Sequence, residues 1–250
     1  MGDRSTGSAA RGSLACAGVA ALWLAACVPT TRAPESSRPV PGSAPPTAVA
    51  ASSPETRRPD AVVYDVLPGQ SELRVLVYRG GPLARLGHNH VLATRELTGT
   101  VHLPTDGAGL RFDVSFPVAS FALDEPQARA AEGPEFESVP TPADVEGTRR
   151  NLESPQVLDA ARHPSVTLRG LGATGGPEAW RVRVDVELRA ARHAVEAPAR
   201  VERHGDALVA RGEFVLRQSE LGLTPFSVAM GALQVRDELT IRYVLTARRR

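Results

Sequence analysis

The nine residues Trp180-Arg181-Val182-Arg183-Val184-Asp185-Val186-Glu187-Leu188 decide the fold. Apolar side chains stand at every second position and charged ones stand between them. Successive side chains of a strand point to opposite faces, so an extended backbone gathers the apolar set on one side and the charges on the other. A helix would scatter both sets around its surface. This stretch therefore reads as a strand with one dry face and one wet face.

Working outward, the same period of two recurs. Near the C-terminus Leu233, Val235, Leu239, Ile241, Tyr243 and Leu245 alternate with Gln234, Arg236, Glu238, Thr240, Arg242 and Thr246, and Asp237 interrupts the apolar face. Shorter cases are Leu73, Val75 and Val77; Leu110, Phe112, Val114, Phe116 and Val118; and Val166 with Leu168. Turn signals separate them at Pro68-Gly69, Asp106-Gly107, Gly175-Gly176-Pro177 and Gly205-Asp206. Strands with one buried face and short turns favour antiparallel pairing, and the pattern gives about eight of them. One helical interruption is expected around residues 142 to 161. Pro142-Ala143-Asp144 starts it, Asp159-Ala160-Ala161-Arg162 adds a turn, and Pro164 stops it. The residues alone read as an all-β barrel or sandwich. From residue 61 onward the chain is long enough to bury roughly 70% of its unfolded surface around one core.

Composition narrows the chemistry. The 29 basic residues, all arginine, face 28 acidic ones, and the net charge of +1 excludes a polybasic nucleic-acid binder. A hydrophobic content of 42% excludes a disordered chain. The absence of lysine excludes Schiff-base catalysis and lysine-dependent phosphate loops. No Gly-x-Ser-x-Gly surrounds Ser71, Ser219 or Ser227, so a serine hydrolase is not expected.

Residues 1–26 read as an export signal, with Arg4 and Arg11 preceding an apolar run from Leu14 to Leu24 that is too short for a comfortable membrane span. The run ends in Leu24-Ala25-Ala26-Cys27, which resembles a bacterial lipobox, so Cys27 is the expected site of lipidation. An ordinary signal peptide is the alternative. The Met1-Gly2 start with Thr6 fits N-myristoylation, but the adjoining export signal is incompatible with it. Residues 27–60 form a Pro-, Ser- and Ala-rich linker, and residues 61–250 form the folded domain. The only cysteines are Cys16 and Cys27, so that domain has no internal disulfide and no thiolate ligand. The expected location is the bacterial cell envelope, lipid-anchored and facing the periplasm or the outside.

Several segments then pass from pattern to resemblance. They are Ser71-Glu72-Leu73-Arg74-Val75, Gly87-His88-Asn89-His90 followed by Leu97-Thr98-Gly99-Thr100-Val101, Asn151 to Asp159 with His163-Pro164-Ser165-Val166, Phe214-Val215-Leu216 leading into Leu221-Gly222-Leu223-Thr224-Pro225, and Val235 to Leu239. In this order, over residues 62–247, the chain resembles the YceI-like family. The resemblance implies an eight-stranded antiparallel, lipocalin-like barrel with a short helical insertion. It implies an exported, non-enzymatic protein that holds an isoprenoid, quinone-like or other amphiphilic lipid inside. An eight-stranded barrel has room for one small ligand, although the alternation is satisfied equally well by a filled barrel. The expected apolar lining is Val75, Val77, Phe112, Val114, Phe116, Val182, Val184, Val186, Phe214, Leu239 and Ile241. The chain differs from the common family pattern in carrying Leu67-Pro68-Gly69-Gln70 ahead of Ser71, and in its paired histidines.

Those histidines are the sharpest polar feature. On a strand, His88 and His90 would face one way with Cα atoms ~6.5 to 7 Å apart. They could share a divalent metal with one or two further ligands, hold a ligand headgroup at the pocket mouth, or be hydrogen-bonded histidines of a surface turn. Candidate further ligands are Asp124, Glu125 and Asp237. A metal-binding or redox-active envelope protein is the alternative function. Asp124-Glu125-Pro126 with Arg129 reads as an exposed loop salt bridge before it reads as an acid–base pair. Arg149-Arg150-Asn151 reads as a solvated helix face or as an anionic-headgroup contact.

Overall fold

The computed structural model describes residues 61–104 and 109–250, which fall within one compact unit. The expected export signal, the expected lipidation site Cys27, the expected linker and the expected turn at Asp106-Gly107 lie outside the described residues.

The alternating stretches fold as strands β1 (Ala61–Val66), β2 (Glu72–Gly80), β3 (His90–Thr94), β4 (Thr98–Pro104), β5 (Arg111–Pro117), β6 (Ala122–Leu123), β7 (Ser165–Thr174), β8 (Trp180–Leu188), β9 (Ala191–His204), β10 (Ala207–Arg217), β11 (Ser227–Val228) and β12 (Leu233–Arg249). Three pairs lie end to end: β1 with β2, β3 with β4, and β5 with β6. Each pair acts as one interrupted stave. Every neighbouring pairing is antiparallel, and β1 pairs with both β4 and β12, so the sheet closes on itself. The result is the expected eight-stranded antiparallel barrel, wound as a simple meander.

The decisive stretch of β8 does what its alternation requires. Trp180, Val182, Val184, Val186 and Leu188 are all buried, and they pair across β9 with Ala199, Ala197, Val195, His193 and Ala191. In β12 the apolar face survives Asp237 because the strand bulges. Val235 pairs with Arg79 and Leu239 with Val77, so β12 spends four residues where β2 spends two. The side-chain parity is kept, and Asp237 is freed to accept from the amide (2.8 Å) and the hydroxyl (2.6 Å) of Ser219. Those two bonds hold its carboxyl below the usual range.

The break between β1 and β2 is filled by a side chain. Val66 pairs with Ala247 and Glu72 with Val244, which leaves Thr246 opposite the loop. The buried Ser71 hydroxyl accepts from Thr246 N (3.0 Å) and contacts the carbonyl oxygens of Leu67 and Thr246. A hydroxyl here supplies the donor and acceptor that a continuous strand would have offered through its backbone.

The wall is least continuous between β9 and β10. Only Arg200–His204 pair with Ala207–Arg211. Pro198 has no N–H to contribute to a ladder. In place of a ladder bond, the Tyr243 phenol donates to Pro198 O at 2.7 Å. Its ring lies over Gly212, where an added Cβ would come within 2.5 Å of it. Phe112 lies over its cross-strand partner Gly170 in the same manner, with 2.4 Å left for a Cβ. At both places an inward aromatic ring needs a glycine beside it.

Two helices interrupt the strands. The expected insertion is α2 (Pro142–Glu153), begun by Thr141, whose hydroxyl accepts from Asp144 N while the Asp144 carboxylate accepts from Thr141 N at 2.8 Å. Turns after Ser154 carry the chain to Pro164. Between β6 and α2 the chain also makes α1 (Pro126–Ala130) and a one-turn helix at Pro134–Phe136. This strap was not anticipated from the sequence. It packs Ala128 and Phe136 onto Leu76 and Val91, on the outer face of β2 and β3. Tight connections join β7 to β8 and β9 to β10 at one end of the barrel. The connections β2–β3, β6–β7 and β10–β12 are long, and they build the other end.

Candidate functional site: an apolar lumen with a polar mouth

The barrel is hollow. Its lumen has a volume of ≈ 470 Å³ and walls that are almost entirely apolar. That lies within the range of about 300–1,000 Å³ typical of small-molecule pockets. Val75, Val77, Phe112, Val114, Phe116, Val182, Val184, Val186, Phe214, Leu239 and Ile241 all line it, as do His88 and His90. The inward residues of every stave contribute because each strand presents alternate side chains to one interior.

Polar groups gather at the end with the long connections. There Arg79, His88, His90, Gln218 and Gln234 meet Thr148 and Asn151 of α2 at the wall. Leu152 of α2 and Val157 and Leu158 after it add an apolar underside, so the insertion forms part of the rim.

His90 is fixed by charge. Its Nδ1 lies 2.7 Å from Asp124 Oδ2, and an ionised carboxylate only accepts, so Nδ1–H donates. Asp124 also accepts from Val91 N (3.0 Å) and from the guanidinium of Arg129. Burial pushes the Asp124 carboxyl up, but its bonds to His90, Val91 and Arg129 outweigh that and hold it below the ordinary value. The other imidazole nitrogen, Nε2, faces Thr148 Oγ1 at 3.4 Å. The Asp124–Arg129 pair is a correction to the exposed loop salt bridge expected from sequence, since the two side chains are 1% and 5% exposed. Burial is tolerated because the Arg129 guanidinium also donates to the carbonyls of Asn89, Phe136 and Ser138. Arg129 thereby clamps the outer strap to the strand that carries His90.

His88 sits elsewhere than on a strand. β3 begins at His90, and the preceding segment leaves a short helical turn at Ala84–Leu86. The two imidazole rings are 6.4 Å apart at a 68° angle. His88 lies 3.4 Å from Ser138 Oγ and 3.6 Å from Asp144 Oδ2. Bonds from the Thr141 hydroxyl and amide hold the Asp144 carboxyl below its usual range. Of the carboxylates expected as further metal ligands, Asp124 reaches His90, Glu125 pairs with Arg95, and Asp237 is bound to Ser219. Among the described residues no group of three or more His, Cys, Asp or Glu side chains is arranged to hold a metal ion.

The arginine run on α2 divides. Arg150 pairs with Glu146 on the solvent side, Arg149 bonds Phe121 O and approaches Glu153, and Asn151 turns to the lumen. Thr148 and Gln218 were missed as mouth residues, because a lone threonine or glutamine carries no spacing that marks it.

The family model for the YceI-like domain matches residues 64–247. The chain belongs to the YceI-like family. Among solved structures, the YceI-like barrel resembles BcnA of Burkholderia cenocepacia at 14% identity and a TM-score of 0.52, covering 73% of this chain and 99% of that one. It also resembles a polyisoprenoid-binding domain from Saccharophagus degradans implicated in plant cell wall breakdown, at 10% identity and a TM-score of 0.51, covering 76% and 99%. At these identities the likeness is one of fold. No curated protein matches.

Proposed function

We propose that this YceI-like barrel binds and carries a hydrophobic isoprenoid-like or other amphiphilic lipid, without catalysing a reaction, as an envelope protein anchored through Cys27. The observation that carries this reading is the ≈ 470 Å³ lumen, apolar along its length and polar at one rim. Transfer of a chain from water into such a space is favourable by about 25 cal/mol per Å² of apolar surface. The rim groups then face the polar end of the ligand. His90, oriented by Asp124, and Asn151 of α2 are the groups suited to hydrogen-bond it. Leucine and valine make up most of the wall, which suits an aliphatic chain better than a stacked planar one. A structural neighbour described as a polyisoprenoid-binding domain supports the ligand class.

Purified intact protein, extracted with organic solvent, is expected to release a chain-like lipid in near-stoichiometric amount by mass spectrometry. Val75→Trp, which places an indole in the lumen, is expected to lower that amount with the strand content unchanged by circular dichroism. An empty extract overturns the reading. Stoichiometric metal on the same sample that is lost in His88→Ala and His90→Ala favours a metal centre instead.

A further inference from the structure

Two connections at the mouth pack against each other and form a lobe beside the lumen. The β2–β3 segment 81–87 lies on the segment leading into β12: Leu83 N donates to Ala232 O at 2.7 Å, and a Cβ on Gly81 would fall 2.8 Å from Gly231 O. At Gly87, a Cβ would fall 3.0 Å from Leu233. The lobe turns its large apolar side chains to solvent, with Leu86 65%, Val228 42% and Met230 106% exposed. Met230 is held at φ 54, a conformation unfavourable for a side-chain-bearing residue, and Gly231 follows at φ 87. Val228 and Leu233 also line the lumen, so the exposed patch continues into the cavity wall.

Within the lobe's two segments the one charged residue, Arg85, is basic. Residues 81–87 and 227–233 contain no Asp or Glu. Arg85, beside Leu86, and Arg236, whose stem lies 3.2 Å from a Cβ placed on Gly80, make no ion pair among the described residues. Apolar tips flanked by free cations match the boundary between acyl chains and anionic headgroups.

We infer that the 81–87/227–233 lobe docks the barrel mouth onto an anionic lipid surface, with Leu86 and Met230 entering the acyl boundary and Arg85 and Arg236 meeting phosphates. The inference deepens the lipid-carrier reading, because a lipid entering a mouth so seated need not cross water. It is tested separately from ligand content. Residues 61–250, which carry every strand of the closed ring and whose strand content is first checked by circular dichroism, are sedimented with phosphatidylcholine vesicles with and without phosphatidylglycerol. The barrel is expected to co-sediment with the anionic vesicles and to be released by salt. Met230→Asp and Leu86→Asp are expected to lower the partition coefficient about tenfold, the loss of one buried apolar side chain. Val215→Asp, at a site 64% exposed on the outer wall of β10, is expected to leave it unchanged. Absence of vesicle association overturns the proposal, and so does equal loss in all three variants. Self-association through the lobe, seen as a dimer by analytical ultracentrifugation that Met230→Asp dissolves, also overturns it. A barrel that binds vesicles yet yields no extracted lipid refutes the carrier function and keeps the docking surface.

Discussion

His90 owes its orientation to Asp124, and Asp124 owes its charge to three donors around it. The folded-state pKa of Asp124 lies below its unfolded value. The ionised form therefore stabilises the fold above the ordinary carboxylate range, and that contribution is lost as pH falls through the lowered value. Asp124→Asn removes it and leaves the Arg129 guanidinium buried without its counter-charge. Such a break costs about 3–5 kcal/mol. Urea denaturation is expected to show that deficit at neutral pH, and a deficit that narrows as the solution becomes strongly acidic. A deficit independent of pH would count against this account of Asp124.

The staves depend on the join between β1 and β2, where one hydroxyl stands in for missing backbone pairing. Ser71→Ala leaves Thr246 N buried without an acceptor, which costs about 1–3 kcal/mol. Ser71→Thr keeps the hydroxyl and is expected to recover part of it, read from denaturation midpoints at constant slope. The same element shows what the sequence can and cannot disclose. The inner faces of β8 and β12 are legible because each side chain's side of the sheet follows from counting by two, and the lumen lining from Val75 to Ile241 follows from the same rule. The His90–Asp124 contact joins residues 34 apart along the chain, and no local period marks it. The outer strap is hidden for a related reason. Leu76 and Val91 are apolar on the face the alternation assigns to water, and only the packing of Ala128 and Phe136 explains them. Similarly, His88 reads as the strand partner of His90 until the turn at Ala84–Leu86 places it in a loop.

At the scale of the whole barrel, stability and occupancy are coupled. A ligand that binds only the folded barrel stabilises it by about 2.7 kcal/mol at a hundredfold excess over Kd. Protein stripped of bound lipid is therefore expected to melt at lower temperature than the material as purified, and to recover when the extract is returned. Unchanged melting after complete stripping would mean that the lumen's contents do not contribute to the fold. The closure of the sheet adds a constraint of timing. The first stave is shut against the last, Tyr64 against Arg249 and Val66 against Ala247. A polypeptide delivered from its N-terminus has no enclosed interior until β12 arrives. A nascent chain thus has nowhere to keep cargo before then, and filling can only follow the sealing of the ring.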